Sequence, residues 1–144
     1  MLTTKARGII VFLTIIQLIV ILFLSLHNEV YTWDEASYII NGIDLSKEKL
    51  NPALEEYVAF ERHPLLSWII AGTINMGLPD FSYKLISLVS LLLLVSLIYM
   101  MSKEFYDRDT ALIAAFLLTT IPAVIFLSAK VLTDIPSTLL FSFA

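Results

Sequence analysis

Three long apolar runs mark out the chain, over about 8–26, 83–102 and 111–130. A helix needs about 20 apolar residues to cross a hydrocarbon core of ~30 Å, and each run meets that length. A fourth apolar piece, 65–78, has 14 residues. As a helix it would measure about 21 Å, and it carries Gly72, Asn75 and Gly77 before stopping at Pro79-Asp80. An interfacial or re-entrant helix fits it better than a crossing. Pro122 lies inside the third run and predicts a kink, which neighbouring helices tolerate in a membrane. Residues 137–144 are apolar again and read as the start of a further span, so the chain is expected to be the front part of a larger multi-pass protein. The fold class this pattern predicts is all-α, with multi-pass transmembrane helices.

The stretch 27–64 is polar, with eight acids and three bases. Lys5 and Arg7 precede the first span, and the positive-inside rule puts them in the cytoplasm. The loop 27–82 is then extracytoplasmic. The first span is longer than a signal-peptide core, and no small-x-small site follows at Ser25-Leu26-His27-Asn28. It reads as a retained anchor in the cell membrane.

Composition agrees with the pattern. Of 144 residues, 58% are hydrophobic and 15% charged, against ~45–50% apolar in an ordinary soluble domain. There is no cysteine, which rules out disulfides and thiolate metal sites. The net charge of −4 supplies no basic patch for phosphate neutralisation, so no nucleic-acid partner is expected. The surrounding partners are membrane lipids.

The polar loop opens on Tyr31-Thr32-Trp33-Asp34-Glu35. Thr32-x-x-Glu35 matches a capping box, with Thr at the N-cap and Glu three residues on. Trp33, Ala36, Ile40 and Ile43 then recur at helical spacing, and Asn41-Gly42 suits the helix end. An amphipathic juxtamembrane helix over 33–43 follows, with Trp33 and Tyr38 as anchors at headgroup depth. Capping accounts for Glu35. It leaves Asp34 unexplained, because an acid in the first turn gains only ~0.3–1 kcal/mol from the helix dipole. Asp34 is the candidate for chemistry.

A larger order now emerges. Asp34-Glu35-Ala36-Ser37-Tyr38 follows a first span. Arg62-His63-Pro64-Leu65-Leu66 opens a short helix ending at Gly77. After two more spans comes Leu132-Thr133-Asp134-Ile135-Pro136. This order resembles the N-terminal part of the GT-C glycosyltransferases, most closely the branch of the protein mannosyltransferases and the aminoarabinose (lipid A) transferases. The resemblance implies a sugar transferred from a polyprenyl-phosphate carrier to a protein, lipid or glycan acceptor on the outer face of the membrane. It implies that Asp34 is the general base or orienting carboxylate for the acceptor. Asp134 would position acceptor or donor, or hold a divalent metal ion where relatives use one. Glu61 stands near the place of a metal-reaching acid, although Phe60-Glu61-Arg62-His63-Pro64 departs by about a residue from the Glu-Lys-Pro form of the aminoarabinose transferases.

Each of these positions has a plainer reading. Glu35 is a candidate for binding substrate and, more plainly, a cap. Asp134 caps the following helix, with Pro136 in its first turn. Lys130 pairs with Asp134 four residues on, snorkels from a span end, or meets a lipid phosphate. Arg62 contacts phosphate or merely flanks the membrane. His63 ligates a metal or is an ordinary loop residue. The alternative to an enzyme is a small non-catalytic multi-span protein, or a fragment, whose outer loop binds a partner.

Overall fold

A computed structural model of the protein describes residues 1–27, 33–47 and 65–142. Among these residues there are seven α-helices and no strand. They are α1 (Thr4–His27), α2 (Trp33–Ser46), α3 (Leu65–Asn75), α4 (Leu85–Phe105), α5 (Arg108–Thr120), α6 (Pro122–Ser128) and α7 (Asp134–Phe141), with a 3-10 turn at Asp80–Ser82.

Two helices are long and apolar enough to cross a membrane, α1 with 24 residues and α4 with 21. At 1.5 Å per residue they measure about 36 and 32 Å, enough for a ~30 Å core. In α1 most large apolar side chains stay exposed, Ile9, Phe12, Ile19 and Phe23 among them. A continuous apolar surface of this kind suits lipid tails and not water.

The third apolar run makes two helices. α5 and α6 meet at a bend of 67° and supply a third span if the pair is counted as one. The cause is local. Ile121, just before Pro122, has φ −67° and ψ 118°. The proline ring excludes the α region for its predecessor, so the helix must end there and restart with Pro122 in the first turn.

Polar contacts fix the ends of this bundle. At one end, the Arg7 guanidinium donates to Asp109, with Nε 2.6 Å from Oδ1, and the Leu2 N–H donates to Asp109 at 2.7 Å. Midway, the Thr119 hydroxyl donates to the Gln17 side chain. At the other end, Ser25 Oγ donates to the Lys84 carbonyl at 3.1 Å, and Ser87 Oγ donates to the Leu132 carbonyl at 3.3 Å. The path is therefore α1 out, α4 back, and α5 with α6 out again. Between them lies an apolar core of Ile21, Leu88, Leu91 and Ile135.

α2 and α3 sit together at the outgoing end. Tyr38 and Ile39 of α2, Leu66 and Ile70 of α3, Tyr83 and Val131 form one buried cluster. Tyr83 follows α3 and immediately precedes Lys84, so the chain enters and leaves α3 at the same end of the bundle. A Schellman motif closes α3: Gly77 takes φ +68°, its N–H donates to the Ile74 carbonyl, and the Leu78 N–H donates to the Thr73 carbonyl.

Candidate functional site

The outgoing end gathers the four site candidates that the structure describes, Asp34, Glu35, Lys130 and Asp134. It is built on the first turn of α2 and the short turn between α6 and α7. In α2 the residues facing the protein are Glu35, Tyr38, Ile39 and Gly42, all buried. That is one helical stripe at i, i+3, i+4 and i+7. The stripe that sequence periodicity picks out, through Ala36, Ile40 and Ile43, overlaps this face only in part: Ile43 packs against the same cluster, whereas Ile40 is 53% exposed. Tyr38 is not a headgroup anchor. Its side chain is 7% exposed and packs in the α2–α3 core, because Gly42 lets the two helices approach closely enough to enclose it.

Glu35 is the centre of the arrangement. The residue is 3% exposed, and its carboxylate reaches across to a segment 96 residues away. Oε1 accepts the Val131 N–H at 2.9 Å, and Oε2 lies 3.4 Å from Lys130 Nζ. Lys130 is itself buried, and its ammonium stands 5.9 Å from the centre of the Phe126 ring. Removing one partner of such a pair strands a charge in low dielectric, which costs about 3–5 kcal/mol. Thr32, the other member of the capping box, lies outside the described residues.

Lys130 does not pair with Asp134. The residues between α6 and α7 are not helical, so a spacing of four does not bring the two side chains together. Asp134 opens α7 with its side chain exposed, in the first turn where the helix dipole favours an acid. Thr133 holds the N-cap position without a side-chain cap bond. Asp34 is exposed in the first turn of α2, next to Glu35. Asp34 and Asp134 thus emerge at the same end of the bundle, each a few residues from the Glu35–Val131 hydrogen bond.

Beside this end lies a cavity of about 720 Å³ between α1 and α6, lined by apolar side chains such as Phe23, Ile125 and Phe126, with His27 and Lys130 as its polar members. Arg62, Glu61 and His63 lie outside the described residues. Among those described, no group of three or more His, Cys, Asp or Glu is placed to share a metal ion.

A family model described as dolichyl-phosphate-mannose-protein mannosyltransferase matches residues 61–144, more than half of the chain. The chain belongs to this family. It is a family of membrane glycosyltransferases of the GT-C type, in keeping with described residues that form helices and no strand, two of the helices of membrane-spanning length. No curated protein and no solved structure matches the chain. The family match contains Lys130 and Asp134 and begins after α2, and Glu35 joins the family region through its contacts with Lys130 and Val131.

Sequence reasoning placed Glu35 and Lys130 separately and missed their pairing. The available signal was the i, i+3, i+4, i+7 series of Glu35, Tyr38, Ile39 and Gly42. An acid at the head of an otherwise buried stripe needs a hydrogen-bonding or ionic partner from elsewhere in the fold.

Proposed function

We propose that the protein transfers a sugar from a polyprenyl-phosphate carrier to an acceptor hydroxyl on a protein, lipid or glycan at the outer face of the cell membrane. Lys5 and Arg7 stand at the opposite end of the bundle from α2, and the positive-inside rule makes that end cytoplasmic. The end carrying α2, α3 and Lys130 is then extracytoplasmic, with α2 and α3 lying at the interface.

In the reaction, the acceptor oxygen attacks the anomeric carbon. The bond from that carbon to the phosphate oxygen breaks, and the phosphate leaves on its lipid. The acceptor proton passes to the Asp34 carboxylate, acting as general base. Asp134 orients acceptor or donor from the neighbouring helix start, and Arg62 meets the phosphate charge. A divalent ion, if the enzyme uses one, would neutralise charge on the departing phosphate, with Glu61 and His63 as its candidate ligands.

The observation that carries this reading is the Glu35–Val131 hydrogen bond, which brings the α2 start to the segment leading into Asp134. The decisive measurement is sugar transfer by the full-length protein in proteoliposomes. Asp34→Asn is expected to lower kcat by about 10²–10⁴-fold. Unchanged transfer would remove Asp34 from the chemistry. Independently, cysteines introduced at 34 and 134 should react with an impermeant maleimide from the same side of the membrane; labelling from opposite sides would exclude a shared site.

A further inference from the structure

We infer that Glu35 and Lys130 form a latch whose role is to position Asp34, and that neither is a contact for the sugar or its phosphate. This rests on the proposed role of Asp34. Both side chains are almost fully enclosed, 4% exposed for Glu35 and 6% for Lys130. A residue that binds a mobile substrate must present its polar atoms to it. Here each carboxylate oxygen of Glu35 already faces a partner within the protein: Oε1 takes the Val131 N–H and Oε2 faces Lys130 Nζ.

Val131 is 1% exposed and belongs to the same buried cluster as Tyr38, one turn further along α2. The latch and the cluster together hold α2 at two successive turns, which fixes its rotation as well as its distance from the bundle. Asp34 is the residue next to Glu35 on the exposed side of that first turn. Holding Glu35 therefore sets where the Asp34 carboxylate stands relative to the segment that carries Asp134. A displacement of about 1 Å at a reacting group costs roughly 10²-fold in rate. A buried ion pair here is a registering device between two elements remote in sequence.

The test separates position from substrate contact. Glu35→Gln keeps an acceptor oxygen for the Val131 N–H but removes the charge. Lys130→Met keeps the length of the side chain. Because Lys130→Met leaves a buried anion, the double variant, which is neutral at both sites, serves as the folded reference. Transfer kinetics are read for all three, together with the distance distribution between nitroxide labels on cysteines introduced at the exposed positions Ile40 and Leu140, in a chain with no cysteine of its own.

Each single variant should broaden that distribution and lower kcat by about tenfold or more, with KM held within about twofold. The double variant should be no worse than the singles. The latch is overturned if the distribution stays narrow, if kcat is retained while the distribution broadens, if KM rises at constant kcat, or if the two single effects multiply. Full activity of Asp34→Asn would instead sink the proposed general base, and the label distances would still decide whether the latch exists.

Discussion

Replacing Gly42 by alanine tests the packing that seats α2. A Cβ at Gly42 would stand 2.5 Å from Ile70 Cγ2, 2.7 Å from Ile70 Cβ and 3.2 Å from the Ser67 carbonyl oxygen. Carbon atoms in contact keep about 3.5–4.0 Å, so the new methyl lies about 1 Å inside that limit. Ile70 is 0% exposed and has nowhere to swing, and the third neighbour is backbone. The strain therefore belongs at the upper end of the ~1–3 kcal/mol range for overpacking. Alanine gains about 1 kcal/mol over glycine in helix propensity. The net loss is about 2 kcal/mol. Gly72 in α3 is the control, because a Cβ there meets nothing within 4 Å and only the propensity gain of about 1 kcal/mol remains. Two identical substitutions should thus differ by about 3 kcal/mol in opposite directions. Equilibrium unfolding in mixed micelles, followed by helical circular dichroism, measures both. If Gly42→Ala stabilises the protein as Gly72→Ala does, α2 and α3 do not approach as described, and the enclosure of Tyr38 falls with that contact.

Two further outcomes are expected. Gly77→Ala should destabilise α3 by about 1–2 kcal/mol, because a side chain is forced into the left-handed region at φ +68°; amide exchange at Leu78, whose N–H closes the Schellman motif, would report it. The Thr110 N–H donates to Asp107 at 2.8 Å and holds that carboxyl below its ordinary value of 3.8. A depressed carboxylate contributes stability above its unfolded pKa and loses it as pH falls through the folded one. The first turn of α5 should therefore fray in acid below about pH 4, and Asp107→Asn, which still accepts the N–H, should weaken the acid-induced loss of Thr110 amide protection relative to its intrinsic exchange rate.

Much of the architecture was legible because lipid imposes a simple rule. A run of about 20 uncharged residues must satisfy its own backbone as a helix, so the long helices α1 and α4 follow from apolar length alone. The break at Ile121 follows from one proline and the restriction it places on the residue before it. The position of Asp34 in a first helical turn follows from local patterning. These are all short-range effects, and the chain states them residue by residue.

The face of α2 was not legible in the same way. Two stripes run side by side along it, one through Ala36, Ile40 and Ile43 and one through Glu35, Tyr38, Ile39 and Gly42. Periodicity favours the first because it is uniformly apolar. Tertiary structure selects the second, because Gly42 admits Ile70 and because Lys130 arrives to neutralise Glu35. Lys130 shows the same limit. Its local partner, Asp134, is ruled out by a non-helical turn, and its actual partner lies 95 positions earlier in the chain. Apolar length and local patterning are enough to say which segments are helices and which acids they carry. Which acid is buried as Lys130's partner and which is left exposed beside it is settled by the fold, because the cost of burying a charge depends on what the fold brings to meet it.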